Sequence, residues 1–168
     1  MMGTTHITGG AFAFAGLSAA TGTALNTPEG IAGMAVCVFG ALLPDIDHPS
    51  SKMGKLFFPL SLIIAKVCGH RGFTHSALMV VALILVGAHF AGGDFSAQML
   101  VWGIVGYLSH LLLDSFTPKG IPLMWPLKVP VRMPLPAVRT GGKVEWLLNA
   151  LMVMGTVYLF ATQVAAAL

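Results

Sequence analysis

Charge is the scarcest commodity in this sequence. Of 168 residues only 9% are charged, six of them acidic, against 56% apolar. Soluble domains carry about 25% charged residues, so this chain cannot clothe itself in a water-facing surface. That excludes a soluble globular domain and leaves an integral membrane protein, in keeping with a mean hydropathy of +0.84. Cysteine is scarce as well. Cys37 and Cys68 both fall in apolar runs, which argues against a disulfide framework and for two small buried hydrophobes. No basic segment precedes the first apolar run and no clear cleavage site follows it, so the N-terminal run is expected to remain as a span. The net charge of +3 does not point to nucleic acid, because the basic residues do not cluster with aromatics on a polar face.

What the chain does have is long apolar runs, and these predict an all-α membrane bundle forming one domain over residues 1–168. Five spans are expected, at about 7–25, 30–43, 77–91, 97–116 and 145–167. The second is short: fourteen residues rise roughly 21 Å, against a hydrocarbon core of about 30 Å. Pro44 is expected to end it by pushing Leu43 out of the α region. Residues 52–55 read as a polar link. Residues 56–67 are too few to span and read as a re-entrant or interfacial segment. Gly92-Gly93-Asp94 reads as a tight turn, and the Pro-rich stretch 117–142 as a long loop.

Counting charges by loop gives the topology. Span ends alternate between two sides, and all nine Lys and Arg fall on one of them. The positive-inside rule makes that side cytoplasmic and puts the C-terminus opposite. The same alternation carries His6, His48, His70, His75 and His110 to the cytoplasmic end, with Asp45, Asp47, Asp114 and Glu145; only His89 is opposite. The histidines took no part in the topology argument, so their convergence is an independent result.

These groups fall into clusters. His110 and Asp114 are an i, i+4 pair on one helix face, a two-armed platform for a cation, and charge at membrane depth is expensive and usually functional. Asp45-Ile46-Asp47-His48 follows the second span. In an extended turn its two carboxylates would point one way and His48 aside; carboxylates suit zinc, manganese or magnesium, and histidine suits zinc or manganese. His70-Arg71-Gly72-Phe73-Thr74-His75-Ser76 precedes the third span, with Arg71 suited to bidentate phosphate recognition and Thr74 or Ser76 to capping the helix. His6 stands at the entrance of the first span. Glu145 reads as a first-turn acid favoured by the helix dipole.

Together these residues resemble the YdjM-like family of bacterial inner-membrane proteins predicted to be metal-dependent hydrolases. The resemblance is carried by His6 with Gly9-Gly10, by Leu43-Pro44-Asp45-Ile46-Asp47-His48, by His70-Arg71-Gly72-x-Thr74-His75-Ser76, by Ser109-His110-x-x-x-Asp114-Ser115-x-Thr117-x-x-Gly120, and by Trp125-Pro126. A remoter similarity is to the ligand motifs of zinc-dependent phospholipase C and single-strand nucleases, which suggests a phosphoester.

The expectation is therefore a hydrolase whose site lies at the cytoplasmic interface of the inner membrane. His6, Asp45, His70, His75, His110 and Asp114 are the candidate ligands. They exceed the four positions of one tetrahedral zinc, so one or two divalent ions are expected, zinc first and manganese or magnesium as alternatives. Asp47 or His48 would take a proton from an activated water, and Arg71 would hold a phosphate and offset developing charge. The substrate would be a phospholipid or another phosphoester in the surrounding bilayer. The 117–142 loop would cover the site as a lid or lipid-entry rim, with Trp125 as interfacial anchor. The alternative is a metal-ion or proton transporter using the same cluster. It sits less well with polar groups gathered at one face rather than at the midplane.

Overall fold

A computed structural model describes residues 1–23, 25, 27–69, 71–127 and 129–166. Seven α-helices appear among them: α1 (Gly3–Thr21), α2 (Pro28–Leu42), α3 (Lys52–Leu56), α4 (Phe58–Cys68), α5 (Ala77–Phe90), α6 (Asp94–Ser115) and α7 (Lys143–Ala166). The expected all-helical bundle is what forms. Three segments are long and apolar enough to cross a membrane: 28–47, 94–115 and 143–166. α1 and α5 occupy the places of the other two expected spans. α5, with 14 residues, is only about 21 Å long.

Several boundaries differ from the sequence reading. α1 begins at Gly3, so His6 sits inside its first turns rather than at its entrance. Asp94 opens α6 instead of ending a turn. Residues 52–55 are helical, because the Ser51 hydroxyl caps α3 by accepting from the Gly54 amide. Leu43 keeps α-region angles (φ −61°, ψ −38°). Pro44 lacks only an N–H, and a new 3-10 helix over Leu43–Asp47 accommodates it near its start, where the missing donor costs nothing. Thr27 and Ser76 cap α2 and α5 as side-chain acceptors.

The centre of the bundle is a close crossing of α2 on α6. A Cβ at Gly40 would lie 2.2 Å from the Gly103 carbonyl oxygen, and one at Gly106 would lie 1.8 Å from that of Cys37. Only glycine permits this approach, the usual device for helix packing in lipid. α1 joins through Gly10, whose carbonyl accepts from the Cys37 thiol at 3.3 Å. Cys37 is buried as expected, but Cys68 is only half-buried, because α4 presents its apolar side chains outward. Phe14 and Trp102 fill the middle of the core at a ring separation of 4.6 Å. α7 is attached along a polar seam: Thr8 pairs with Asn149, and buried Glu145 accepts from the Met2 amide and the Thr5 hydroxyl.

The Pro-rich stretch is anchored rather than loose. Ile121 and Val131 form an antiparallel bridge. The amides of Met133 and Val138 donate to Ser115 and Phe116 at the end of α6, and the amide of Ala77 donates to Leu123. Trp125 packs edge-on against Phe73 at 5.3 Å.

Candidate metal centre

The start of α1, the end of α2, the entry to α5, the end of α6 and the start of α7 meet at one end of the bundle. The glycine crossing sets the position of His110. Gly106 rests on the Cys37 carbonyl, and one turn further along both helices His110 meets Ala41. Its Nδ1 lies 2.7 Å from the Ala41 carbonyl, which assigns the proton to Nδ1 and turns Nε2 inward. His75 is held in the same manner from another direction. Its Nδ1 lies 3.0 Å from Thr74 Oγ1 and 3.4 Å from Asp47 Oδ2. Asp47 in turn accepts from the Thr74 hydroxyl at 2.6 Å and the Arg71 amide at 2.8 Å. The Thr74 carbonyl accepts from the buried Tyr107 hydroxyl.

The inward-facing atoms converge. Nε2 of His75 and Nε2 of His110 are 3.3 Å apart, and each is 3.8 Å from Asp114 Oδ2. Tetrahedral zinc with bonds near 2.1 Å separates its ligands by about 3.4 Å, so this trio has the spacing of a ligand set. His6, Asp45 and His110 form a second group with donor atoms within 4.8 Å of one another. His6 stacks on His110 at 3.6 Å, the rings 13° from parallel. Both of its ring nitrogens are buried without a hydrogen-bond partner, although Nε2 comes within 3.4 Å of Asp114 Oδ1. Leaving a buried polar atom unpartnered costs about 1–3 kcal/mol, a cost that ligation would remove. The residues present therefore fit a divalent ion; His110 has a single free nitrogen, so it can serve only one ion, and His6 and Asp45 extend the ligand set around it.

Two cationic groups meet Asp114. Arg71 Nη2 contacts Oδ2 at 2.6 Å, and the Met1 amino group contacts Oδ1. Arg71 Nη1 also donates to Thr117 Oγ1 at 2.9 Å and to the Gly120 carbonyl at 3.2 Å. Arg71 holds a left-handed φ of 58°, unusual for a side-chain-bearing residue. The Asp47 carboxylate on its amide stabilises that conformation.

The 3-10 geometry corrects the expected orientation of the Asp45–His48 stretch. At three residues per turn, Asp45 and Asp47 leave on different sides while residues three apart eclipse. Asp45 and His48 both line an open cavity of about 510 Å³, with Ser50, Lys52, Arg71 and Thr140. Asp47 is wholly buried behind His75 instead. His48 Nδ1 lies 2.8 Å from Ser50 Oγ. Of the other candidates, His70 falls outside the described residues, and His89 is exposed near the far end of α5, against Phe90. Tyr107 and the Ala41 carbonyl lie outside the residues that the sequence singles out, and Thr117 stands there only as part of the family motif. A threonine three residues after Asp114 was a local signal for Thr117; nothing in the sequence announces the other two.

A His–Asp cluster at one end of a bundle of apolar helices defines a helical membrane protein with a buried polar centre. The comparisons name the group. A protein-family model described as YdjM inner membrane protein matches residues 1–167, and the chain belongs to that family. It is 42% identical over 113 residues to the inner membrane protein YdjM of Escherichia coli K12, covering 64% of this chain and 56% of that one. It is 38% identical over 122 residues to YvsG of Bacillus subtilis, covering 72% and 73%. It is 36% identical over 91 residues to the inner membrane protein YbcI of E. coli K12, covering 51% and 49%. The chain thus spans little more than half the length of its E. coli YdjM relative. No solved structure matches it.

Proposed function

We propose that this protein is a membrane-embedded, metal-dependent hydrolase that cleaves a phosphoester at the cytoplasmic face of the inner membrane. The observation that carries the reading is the orientation of the imidazoles. His75 and His110 turn their Nδ1 atoms to fixed acceptors and their Nε2 atoms toward each other and Asp114. Outer partners of this kind orient metal-ligating histidines, and with both protons on Nδ1 the two Nε2 lone pairs face each other, an arrangement that a cation between them would stabilise.

His75, His110 and Asp114 would hold one ion; His6, which comes within 3.4 Å of Asp114 Oδ1, and Asp45 would complete its shell or hold a second ion with that carboxylate. A divalent cation there supplies Lewis acidity and lowers the pKa of water in its coordination sphere. The protein's own groups do the rest. Asp47 and Thr74 hold His75 in one orientation, so Asp47 serves as a positioning residue rather than a base. His48, in the cavity beside Asp45, takes up the proton released as the attacking water adds. Arg71 holds Asp114 and sets positive charge at the cavity wall, where negative charge develops on the phosphoryl group. The cytoplasmic assignment is supported by the basic residues, all of which belong to segments joined to this end of the bundle.

The test is elemental analysis of the purified protein together with hydrolysis of phosphodiester and phosphomonoester lipids before and after chelation. Stoichiometric zinc or manganese with chelator-sensitive turnover is expected. Metal-free protein with the native fold would remove the basis of the reading.

A further inference from the structure

A second cavity adjoins the candidate centre. About 270 Å³ in volume, it is lined by Arg71, Thr117, Pro118, Lys119, Arg139 and Thr140. Three of the six are cationic, two carry hydroxyls and none is acidic. Arg71 and Thr140 also line the cavity that contains Asp45 and His48, so the two spaces share a wall. The cations differ in their commitments. Arg71 is engaged with Asp114, Thr117 and Gly120, so its guanidinium donors are largely committed. Among the described residues, no carboxylate lies within ion-pair distance of Lys119 or Arg139.

The backbone carrying these groups is held in place. The Val138 amide donates to the Phe116 carbonyl at 2.8 Å, the Gly142 amide to the Arg139 carbonyl at 2.9 Å, and the Gly141 amide to Glu145 Oε2 at 2.6 Å. Thr117 is pinned by its own hydroxyl, which donates to the Asp114 carbonyl at 2.7 Å. The cavity is thus an electropositive recess on an anchored backbone, with the Thr140 hydroxyl as its uncommitted donor, since the Thr117 proton goes to Asp114. This is the chemistry that receives a phosphate group, with Arg for planar, bidentate contact and Lys as a point charge.

We infer that Lys119 and Arg139, with Thr140, form an anion-binding subsite for a phosphate group, next to the metal centre and separate from it. The inference deepens the hydrolase reading and rests on it for its meaning: the subsite would seat a phosphate of an anionic substrate while the bond to be broken lies across Arg71. It also reassigns the duty first given to Arg71. The principal phosphate contacts fall to the two unpaired cations, and Arg71 links the subsite to Asp114.

The test uses the full chain purified in a non-ionic detergent. Affinities for inorganic phosphate and for short-chain phosphatidylglycerol are measured by calorimetry at constant ionic strength, with short-chain phosphatidylcholine as a zwitterionic control. The Lys119→Ala/Arg139→Ala double variant should bind phosphatidylglycerol at least about tenfold more weakly, each charge-assisted contact being worth more than a neutral one. Lys119→Arg/Arg139→Lys should retain binding, and Lys66→Ala, on α4, should be unaffected. Metal content should be unchanged in all of them. Phosphate bound with phosphatidylglycerol assigns the subsite to a lipid headgroup; phosphate bound alone assigns it to a soluble phosphate. If neither binds, or if Lys66→Ala weakens binding as much as the double variant does, the subsite is refuted. Because metal content is read independently, that failure is distinguishable from failure of the hydrolase reading, in which the protein would lack metal whatever its anion affinity.

Discussion

Gly106→Ala offers a sharp test of how the bundle builds its polar centre. In an ordinary helix interior the change is favourable by about 0.8–1 kcal/mol. Here the added Cβ would stand 1.8 Å from the Cys37 carbonyl oxygen and 2.9 Å from the Ala41 amide nitrogen, where ordinary contact begins at 3.4 Å. The obstruction is backbone, so no side-chain rotation relieves it, and α2 and α6 must separate. Overpacking of this type costs about 1–3 kcal/mol. The separation also stretches the 2.7 Å contact from His110 Nδ1 to the Ala41 carbonyl, with a further loss of about 1 kcal/mol. A net destabilisation of about 1–3 kcal/mol follows once the helix-propensity gain is subtracted. Loss of an orienting partner also weakens metal affinity by about 10–100-fold. Thermal unfolding in detergent, followed by circular dichroism, reads the first effect, and competition with a chromogenic chelator reads the second. Gly16→Ala is the matched control, since nothing lies within 4 Å of its added Cβ; it should leave stability unchanged or slightly raised. If Gly106→Ala unfolds at the native temperature and keeps native metal affinity, the glycine crossing does not set His110, and the reasoning fails.

Other perturbations address neighbouring parts of the same construction. Asp114→Ala should abolish stoichiometric metal while His89→Ala leaves it intact, and equal metal contents in the two purified variants would contradict the ligand assignment. Asp47→Asn should weaken metal affinity by about 10–100-fold through His75 with little change in the number of ions bound at saturation; a drop in saturating stoichiometry would make Asp47 a ligand instead. Glu145→Gln sets an amide against the donors of Met2, Thr5 and Gly141, and should destabilise by about 1–3 kcal/mol in a denaturation series, without removing metal. A reporter fused after residue 168 should be active only if it functions in the periplasm, and a cytoplasmic signal would overturn the five-span topology.

The membrane class and the gathering of polar groups at one end were legible from the sequence, because both follow from one-dimensional quantities. Nine percent charge cannot solvate a surface, and alternating spans must deliver every second loop to the same side. His110 and Asp114 were readable as a pair for the same reason: an i, i+4 spacing in a helix is fixed by local geometry. The roles within Asp45-Ile46-Asp47-His48 were not readable. Whether that stretch is extended or 3-10 decides whether its two aspartates share a side, and the choice depends on how Pro44 joins the end of α2.

The sequence alone thus determined the class of this protein, its helical character and the set of groups available at one end of the bundle, since apolar runs and charge are properties of neighbours in the chain. Only the tertiary structure decided which of those groups meet. The approach of α2 to α6 over Gly40 and Gly106 brings Ala41 to His110. The packing of residues 73–75 on the 3-10 turn places Asp47 behind His75 rather than beside Asp45. The fold of 117–142 onto the end of α6 sets Lys119 and Arg139 around one recess. Each of these is a contact between residues distant in sequence, settled by which backbones can come close, and no local pattern records it.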